Sequence, residues 1–366
     1  MNIGIIGGGQ LGKMMILEAK RLGFYIAVLD PDEFCPASSI CDKLIISDFD
    51  DPSGYYQLAK YVQIITYEFE HINVNVLEEL EQSGHIIYPS VKSLKTIQNK
   101  YLQKCLLKER DLPVPRFIYI KTIEDILNAG DIFGYPLMLK ATTGGYDGKG
   151  NILIKNKDDI KIPFSGELMV EEYINFDKEV SVIACRGIDG ERVIYPVAEN
   201  IHSNSILDTT IVPADINETA KNNIMDIANK VMEIFEGVGT FCVEFFIKND
   251  IVYVNEVAPR PHNSGHYTIE GCFANQFENH IRAIVGLPFG CTKLIQPTVM
   301  VNLLGTDNGL ASVNGLAEAY KYKNVHVHVY GKRESKKGRK MGHFTVVGDT
   351  RMAKELKKII FIGGVI

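Results

Sequence analysis

A chain of 366 residues that is 46% hydrophobic and 23% charged has a globular composition and length for two or three domains. Its net charge of −6 excludes a global basic field for nucleic acid, and no apolar run approaches the ~20 residues of a membrane span. The 7 cysteines are scattered, odd in number and free of C-x-x-C, which fits reduced thiols in the cytoplasm.

Residues 2–8 read as a buried strand that runs into Gly7-Gly8-Gly9-Gln10-Leu11-Gly12. A helix is expected from Gln10 to Leu22, and a strand from Tyr25 to Leu29 that ends at Asp30. Strand, glycine turn, helix, strand and acid form the opening of a Rossmann-like βαβ unit, whose helix N-terminus favours an anion. NAD is one reading of the turn. Other phosphates, or tight packing alone, are the alternatives, and nothing later in the chain supplies a dehydrogenase site. The strands Leu44–Ile46 and Ile64–Tyr67 continue the pattern, and no signal peptide precedes the first strand. Glu68 and Glu70 follow at a strand C-terminal end, where open α/β sheets place ligands. Their i, i+2 spacing puts both on one face of an extended chain. Ile86–Pro89 closes a first domain, and a polar helix is expected from Val91 to Glu109 with Lys100 and Lys104 one turn apart.

Leu112-Pro113-Val114-Pro115 marks a join, followed by a helix from Ile123 to Ala129. Strands at Tyr135–Leu139 and Asn151–Ile154 flank Lys140–Gly150, a loop with four glycines and two lysines in eleven residues. Glycine lets backbone N–H groups approach phosphate oxygens, and lysine supplies charge. The loop is not a P-loop, because it joins two strands and lacks G-x-x-x-x-G-K-[ST]. Leu168–Ile174 reads as a strand. Glu179–Cys185 and Arg192–Val197 read as an antiparallel pair, with a helix from about Glu218 to Phe235.

The strand Gly239–Ile247 carries Glu244, and its hairpin partner Ile251–Val257 carries Glu256. A carboxylate within an aromatic, β-branched strand needs its charge neutralised. Two on adjacent strands suggest a divalent cation with oxygen ligands, Mg2+ shared with phosphate being the natural choice. His262 and His266 are four apart, but Pro261 and Gly265 argue against a helix and the H-E-x-x-H glutamate is missing, so this loop reads as a substrate or phosphate contact. A helix from Gln276 to Val285 and strands Val299–Leu304 and Val325–Tyr330 follow. Lys332, Arg333, Lys336, Lys337, Arg339 and Lys340 then form a local anion site or a solvated turn.

In this order the pieces resemble the ATP-grasp superfamily. Gly7–Gly12, Gly144-Gly145-Tyr146-Asp147-Gly148-Lys149-Gly150, Asn255–His266 and Gly338-Arg339-Lys340-Met341-Gly342-His343 resemble its N5-carboxyaminoimidazole ribonucleotide synthase family over nearly the whole chain. The resemblance implies an α/β and α+β multidomain fold. Its parts would be a Rossmann-like N-terminal domain (1–98), an ATP-grasp core (99–290) with a mobile lid at about 112–172, and a small C-terminal domain (291–366). It implies ATP-dependent carboxylation of aminoimidazole ribonucleotide with bicarbonate in purine biosynthesis, by a cytoplasmic homodimer that uses ATP and Mg2+ and engages neither nucleic acid nor membrane. Lys100 and Lys140 would contact phosphates under a lid of Gly145, Tyr146, Asp147, Gly148, Lys149, Gly150 and Asn151. Glu171, Glu172, Tyr173 and Ile174 would hold adenine by backbone groups, Glu179 the ribose, and His202 would line the pocket. Glu244 and Glu256 would ligate Mg2+ with Asn255 alongside. Tyr146, Asp147, Lys332 and Arg339, with Glu70, would serve the ribonucleotide and the carboxylating species. Lys149 stands where many members carry arginine, keeping the charge without the planar fork. A formate-using transformylase of the same superfamily is the near alternative, and a dehydrogenase the distant one.

Overall fold

The computed structural model describes residues 1–145, 150–162 and 166–365. The N-terminal part is a five-stranded parallel sheet in the spatial order Lys43–Ile46, Tyr25–Asp30, Asn2–Ile6, Ile64–Tyr67, Ile86–Ile87. Its strands are almost continuously apolar because both faces are covered. Ile3, Ile5, Ile26 and Val28 point to one core, and Ile6, Ala27, Leu29 and Ile65 to the other. The strand order reverses between Asn2–Ile6 and Ile64–Tyr67, which opens a crevice beyond Gly7 and Glu68.

The helix expected over 91–109 is two helices, Val91–Gln98 and Lys100–Glu109. Asn99 adopts an extended conformation (φ −104°, ψ 107°), and its side-chain oxygen accepts from the N–H groups of Tyr101 and Leu102. A capping asparagine inside an apolar periodicity restarts the helix, and Lys100 becomes its first residue. The helix expected to stop at Ala129 continues to Phe133. The strand expected to reach Ile174 ends at Glu172.

A four-stranded sheet, ordered Phe117–Ile120, Leu168–Glu172, Leu137–Ala141, Asn151–Ile154, packs on the helix Ile123–Phe133 around its own core of Ile126, Leu137, Leu139 and Val170. Alternation along Leu137–Ala141 buries Leu137 and Leu139, so Met138 and Lys140 lie on the opposite face.

A nine-stranded sheet carries most of the rest, and Glu334–Ser335, Gly309–Asn314 and Phe361–Val365 form a separate three-stranded sheet. The order of the nine-stranded sheet is Ile251–Ala258, Gly239–Lys248, Lys178–Arg186, Ala198–Ser203, Ile206–Val212, Thr298–Leu304, Lys340–Val347, Val325–Val329, with Arg192–Ile194 beside Lys178–Arg186. Pairing of Ile206–Val212 with Thr298–Leu304 makes the C-terminal strands continuous with the centre of the molecule. The helix Glu218–Phe235 covers one face. The helix Gln276–Val285 shares a core with the N-terminal helix Gln10–Arg21. Among the described residues no helix is long and apolar enough to cross a membrane.

The edge strand Ile251–Ala258 is covered from outside. Gln103, buried on the helix Lys100–Glu109, donates to the Val257 carbonyl (3.0 Å) and accepts from the Val257 N–H (2.9 Å). Its amide replaces the ladder partner that an edge strand lacks. Gln103→Leu strands both backbone groups in a dry contact and lowers unfolding stability by about 2–4 kcal/mol, read as a lower urea midpoint.

Candidate active site

The three larger sheets and the C-terminal loop meet at a cleft of ≈ 1450 Å3. Lys100, Lys140, Glu171, Glu179, His202, Glu244, Asn255 and Glu256 line it, together with Glu70, Lys332 and Arg339. Gly145, Asn151, Glu172, Tyr173 and Ile174 also reach its wall. Tyr146, Asp147, Gly148 and Lys149 lie outside the described residues. Gly150 closes the hairpin, its carbonyl accepting from the Ala141 N–H at 2.8 Å.

The lysines are held by carboxylates. Lys140 Nζ lies 2.7 Å from Glu171 Oε2, and Lys104 Nζ 3.3 Å from Glu171 Oε1. Burial alone would raise the Glu171 carboxyl, but the ammonium groups of Lys104 and Lys140 outweigh it and bring it to about 2. Lys104 is driven to about 8 by burial, which its contact with Glu171 only partly offsets. Lys100 Nζ donates to Glu256 Oε2 at 2.8 Å. Burial works against the charge on Glu256, yet Lys100 wins and holds its pKa below the ordinary value.

Among the described residues Glu244 has no such lysine. Burial, then Glu179 and Glu256, push its carboxyl up to about 7. It faces Glu256 in register across the hairpin. A bulge brings them together. Val252 and Val254 lie in the core, and strict alternation would send Glu256 there too. The register shifts between Glu244 and Phe245, leaving Asn255 as the extra residue, so Val257 enters the core and both Asn255 and Glu256 face the cleft. The crowded carboxylates and an amide oxygen are a hard-oxygen donor set that suits Mg2+.

His202 lies 3.0 Å from Glu179 through Nδ1. Burial lowers its pKa, but Glu179 outweighs this and holds it above the ordinary imidazole value. On the strand expected to hold adenine, Glu171 turns its side chain to the two lysines. The Glu172 carboxylate accepts from Arg116 N–H and Nε (2.8 and 2.7 Å), and the Glu172 N–H donates to the Arg116 carbonyl. Phe176 and Phe246, with parallel rings 4.6 Å apart, complete this wall.

At the other end, Arg260 Nε pairs with Glu70 Oε1 at 2.8 Å. Lys332 Nζ donates to the Lys340 carbonyl (2.7 Å), and Arg339 Nη1 to the Glu334 carbonyl (3.0 Å). Lys336, Lys337 and Gly338 lie between them along the cleft.

The glycine turn is filled from within. Glu68 accepts from the N–H of Gly9 (2.6 Å) and of Gly12 (2.7 Å), and Asp30 accepts from that of Gly8 (2.7 Å). The anion at this helix N-terminus is the chain's own carboxylate, and Asp30, the acid that ends the second strand, is spent on the turn. A side chain at Gly9 would run into the Glu68 carboxylate. The chain bends over residues 68–70, so Glu68 and Glu70 do not project as neighbours on a strand.

Sequence reasoning missed Arg260 and His262 as individual cleft residues and Lys104 as the second partner of Glu171. The first two carried a signal in their polar loop directly after the acid-bearing hairpin. Lys104 carried only its spacing from Lys100.

Family comparisons agree with this arrangement. The ribonucleotide synthetase preATP-grasp domain matches residues 1–98, the ATP-grasp domain residues 105–277, and the phosphoribosylaminoimidazole carboxylase C-terminal domain residues 298–357. An N5-carboxyaminoimidazole ribonucleotide synthase of Staphylococcus aureus is 43% identical over 352 residues, covering 94% of this chain and 92% of the relative. The crystal structure of N5-carboxyaminoimidazole ribonucleotide synthetase from Thermotoga maritima superposes with a TM-score of 0.91 at 44% identity, covering 100% of this chain and 99% of that one. The Aspergillus clavatus N5-carboxyaminoimidazole synthase in complex with ADP and 5-aminoimidazole ribonucleotide gives 0.87 at 33% identity, with 98% of each chain covered. With relatives matched along nearly its full length, this chain belongs to the N5-carboxyaminoimidazole ribonucleotide synthase family of ATP-grasp ligases.

Proposed function

We propose that the chain uses ATP to carboxylate 5-aminoimidazole ribonucleotide with bicarbonate, giving N5-carboxyaminoimidazole ribonucleotide, ADP and phosphate. The observation that carries this is one cleft with two unlike ends. Lys100, Lys140 and the acidic hairpin form one end, and Glu70, Lys332 and Arg339 the other. A triphosphate fits the first and a phosphorylated ribonucleotide the second.

Bicarbonate is a poor electrophile. Its oxygen forms a bond to the γ-phosphorus as ADP leaves, giving carboxyphosphate. Lys100 and Lys140 counter the charge on the transferring group. When bound, Mg2+ held by Glu244 and Glu256, with Asn255 alongside, would neutralise phosphate oxygens. The exocyclic amine of the ribonucleotide then bonds to the carboxyl carbon, phosphate departs, and the amine proton passes to a base. Asp147, on the glycine-rich segment between Gly145 and Gly150, is assigned that role. A short-lived acyl phosphate has to be kept from water. Glu179 and His202 are assigned to the ribose side of the nucleotide, and Tyr173 and Ile174 to the adenine. A cytoplasmic homodimer completes the proposal, on the resemblance and on seven cysteines all free of disulfides.

ADP release decides between this reading and its near alternative. Release should require aminoimidazole ribonucleotide and bicarbonate together. Turnover with glycinamide ribonucleotide and formate instead would assign the chain to the transformylase.

The Glu171 side chain positions Lys140. Glu171→Gln should raise KM for ATP and lower kcat/KM on the order of 10²-fold through misplacement of Lys140. It should also remove about 3 kcal/mol of stability at neutral pH, by leaving two buried ammonium groups uncompensated. The folded-state carboxyl lies near 2 against an ordinary 4.5, so the stability it confers is complete above 4.5 and lost as pH falls toward 2. The gap in melting temperature between wild type and variant should therefore close over that interval.

A further inference from the structure

At the floor of the cleft Glu244 also belongs to a second donor set, with two side chains that the carboxylation chemistry does not use. A ligand atom from each of Cys242, Glu244 and His262 lies within 4.8 Å of the other two, and among the described residues this is the one such trio of His, Cys, Asp or Glu side chains. Cys242 and Glu244 are two apart on the strand Gly239–Lys248 and share a face. His262 comes from the loop after Ile251–Ala258, its Nε2 3.7 Å from Glu244 Oε1. Ser264 fixes the imidazole, with Ser264 Oγ 2.9 Å from His262 Nδ1 and 3.7 Å from Cys242 Sγ. Ser181 Oγ in turn donates to Ser264 Oγ at 2.9 Å. Cys242 is fully buried, while Glu244 and His262 line the cleft and give a path from solvent.

Thiolate, imidazole and carboxylate with a fourth position toward the cleft form the three-ligand open arrangement that Zn2+ favours. Mg2+ prefers oxygen alone, and the thiolate biases the set toward Zn2+, Co2+ and other softer ions. Zinc bond lengths of about 2.0–2.3 Å require the three side chains to draw in by roughly 1 Å.

We propose that Cys242, Glu244 and His262 form a Zn2+ site at the floor of the cleft, and that Zn2+ there inhibits the enzyme by withdrawing Glu244 from Glu256. The inhibition rests on the reading of Glu244 and Glu256 as the Mg2+ carboxylates; the binding does not. On binding, the Cys242 S–H bond breaks, its electron pair goes to the metal and its proton to water.

The test uses the full chain in buffer with excess Mg2+, with Co2+ as an optical probe and Zn2+ as the inhibitor. Wild type should take up one ion per chain and show a near-ultraviolet thiolate-to-cobalt charge-transfer band. Cys242→Ser should lose the band, bind Zn2+ at least ~10-fold more weakly, keep its Mg2+-supported turnover and resist Zn2+ to the same degree. Cys242→Ala serves the same purpose if the serine variant fails to fold. A cobalt complex without the thiolate band, or Zn2+ affinity unchanged in both variants, overturns the site. Zinc bound through Cys242 with turnover unaffected leaves the site standing and overturns the inhibition, and with it the reading of Glu244 as a Mg2+ ligand.

Discussion

Charge balance inside the cleft is the constraint on which the site depends. Glu171 alone answers two ammonium groups, Lys104 and Lys140, with almost no access to solvent. Glu256 answers Lys100. The cluster of three lysines and two carboxylates is left with positive charge facing the cavity, which is what a triphosphate needs. Glu244 and Glu179 stand beside it with imidazoles as their closest bases, His262 for Glu244 and His202 for Glu179, and with an excess of negative charge, which suits a divalent cation. The two excesses sit next to each other, so neither ligand is complementary without the other.

Much of this was legible in the chain. Alternation and apolar runs gave the strands, and the two hairpin acids stood out because a carboxylate is out of place in Phe241–Ile247. What stayed hidden depends on contacts far apart in sequence or on single backbone irregularities. Strict alternation would have sent Glu256 into the core beside Val252 and Val254. Only the bulge at Asn255 turns it to the cleft, and no period-2 pattern announces one extra residue. The break at Asn99 was readable in principle as a cap, but the apolar spacing on either side masked it. The side chain of Glu171 could not be assigned from its neighbours, since Lys104 and Lys140 reach it from two other elements.

The glycine turn shows how a local motif can be present while its usual ligand is excluded. The strand, turn and helix all form as the spacing requires. The position that phosphate would take at the helix N-terminus is held by Glu68, 59 residues from Gly9. A carboxylate that accepts two backbone N–H bonds satisfies the same orphan donors that a pyrophosphate would. The turn therefore presents a finished surface to the cleft. A dinucleotide would have to displace a buried carboxylate, one whose pKa burial has already raised, and leave it unbonded.

The remaining question is what keeps the two ends of the cleft at a fixed spacing, and the answer is the nine-stranded sheet. The acidic hairpin is at one end of its strand order, and Lys340–Val347, which follows directly from Arg339, lies near the other. The ladder between Ile206–Val212 and Thr298–Leu304 joins them without a flexible linker. Lys332 is tied to the Lys340 carbonyl, and the Arg339 carbonyl accepts from the Gly305 N–H, so the cationic strip is fastened to the sheet at both ends. The four-stranded sheet that carries Lys140 has its own core and meets the helix Lys100–Glu109 through the Glu171 pairs, the bond from Lys100 N–H to the Thr142 carbonyl, the bond from Asn99 Nδ2 to Glu167, and the edge-to-face contacts of Tyr101 with Phe117 and Tyr119. The acidic hairpin and the strand that follows the cationic strip are thus carried on one sheet, while Lys140 comes from a sheet with a core of its own.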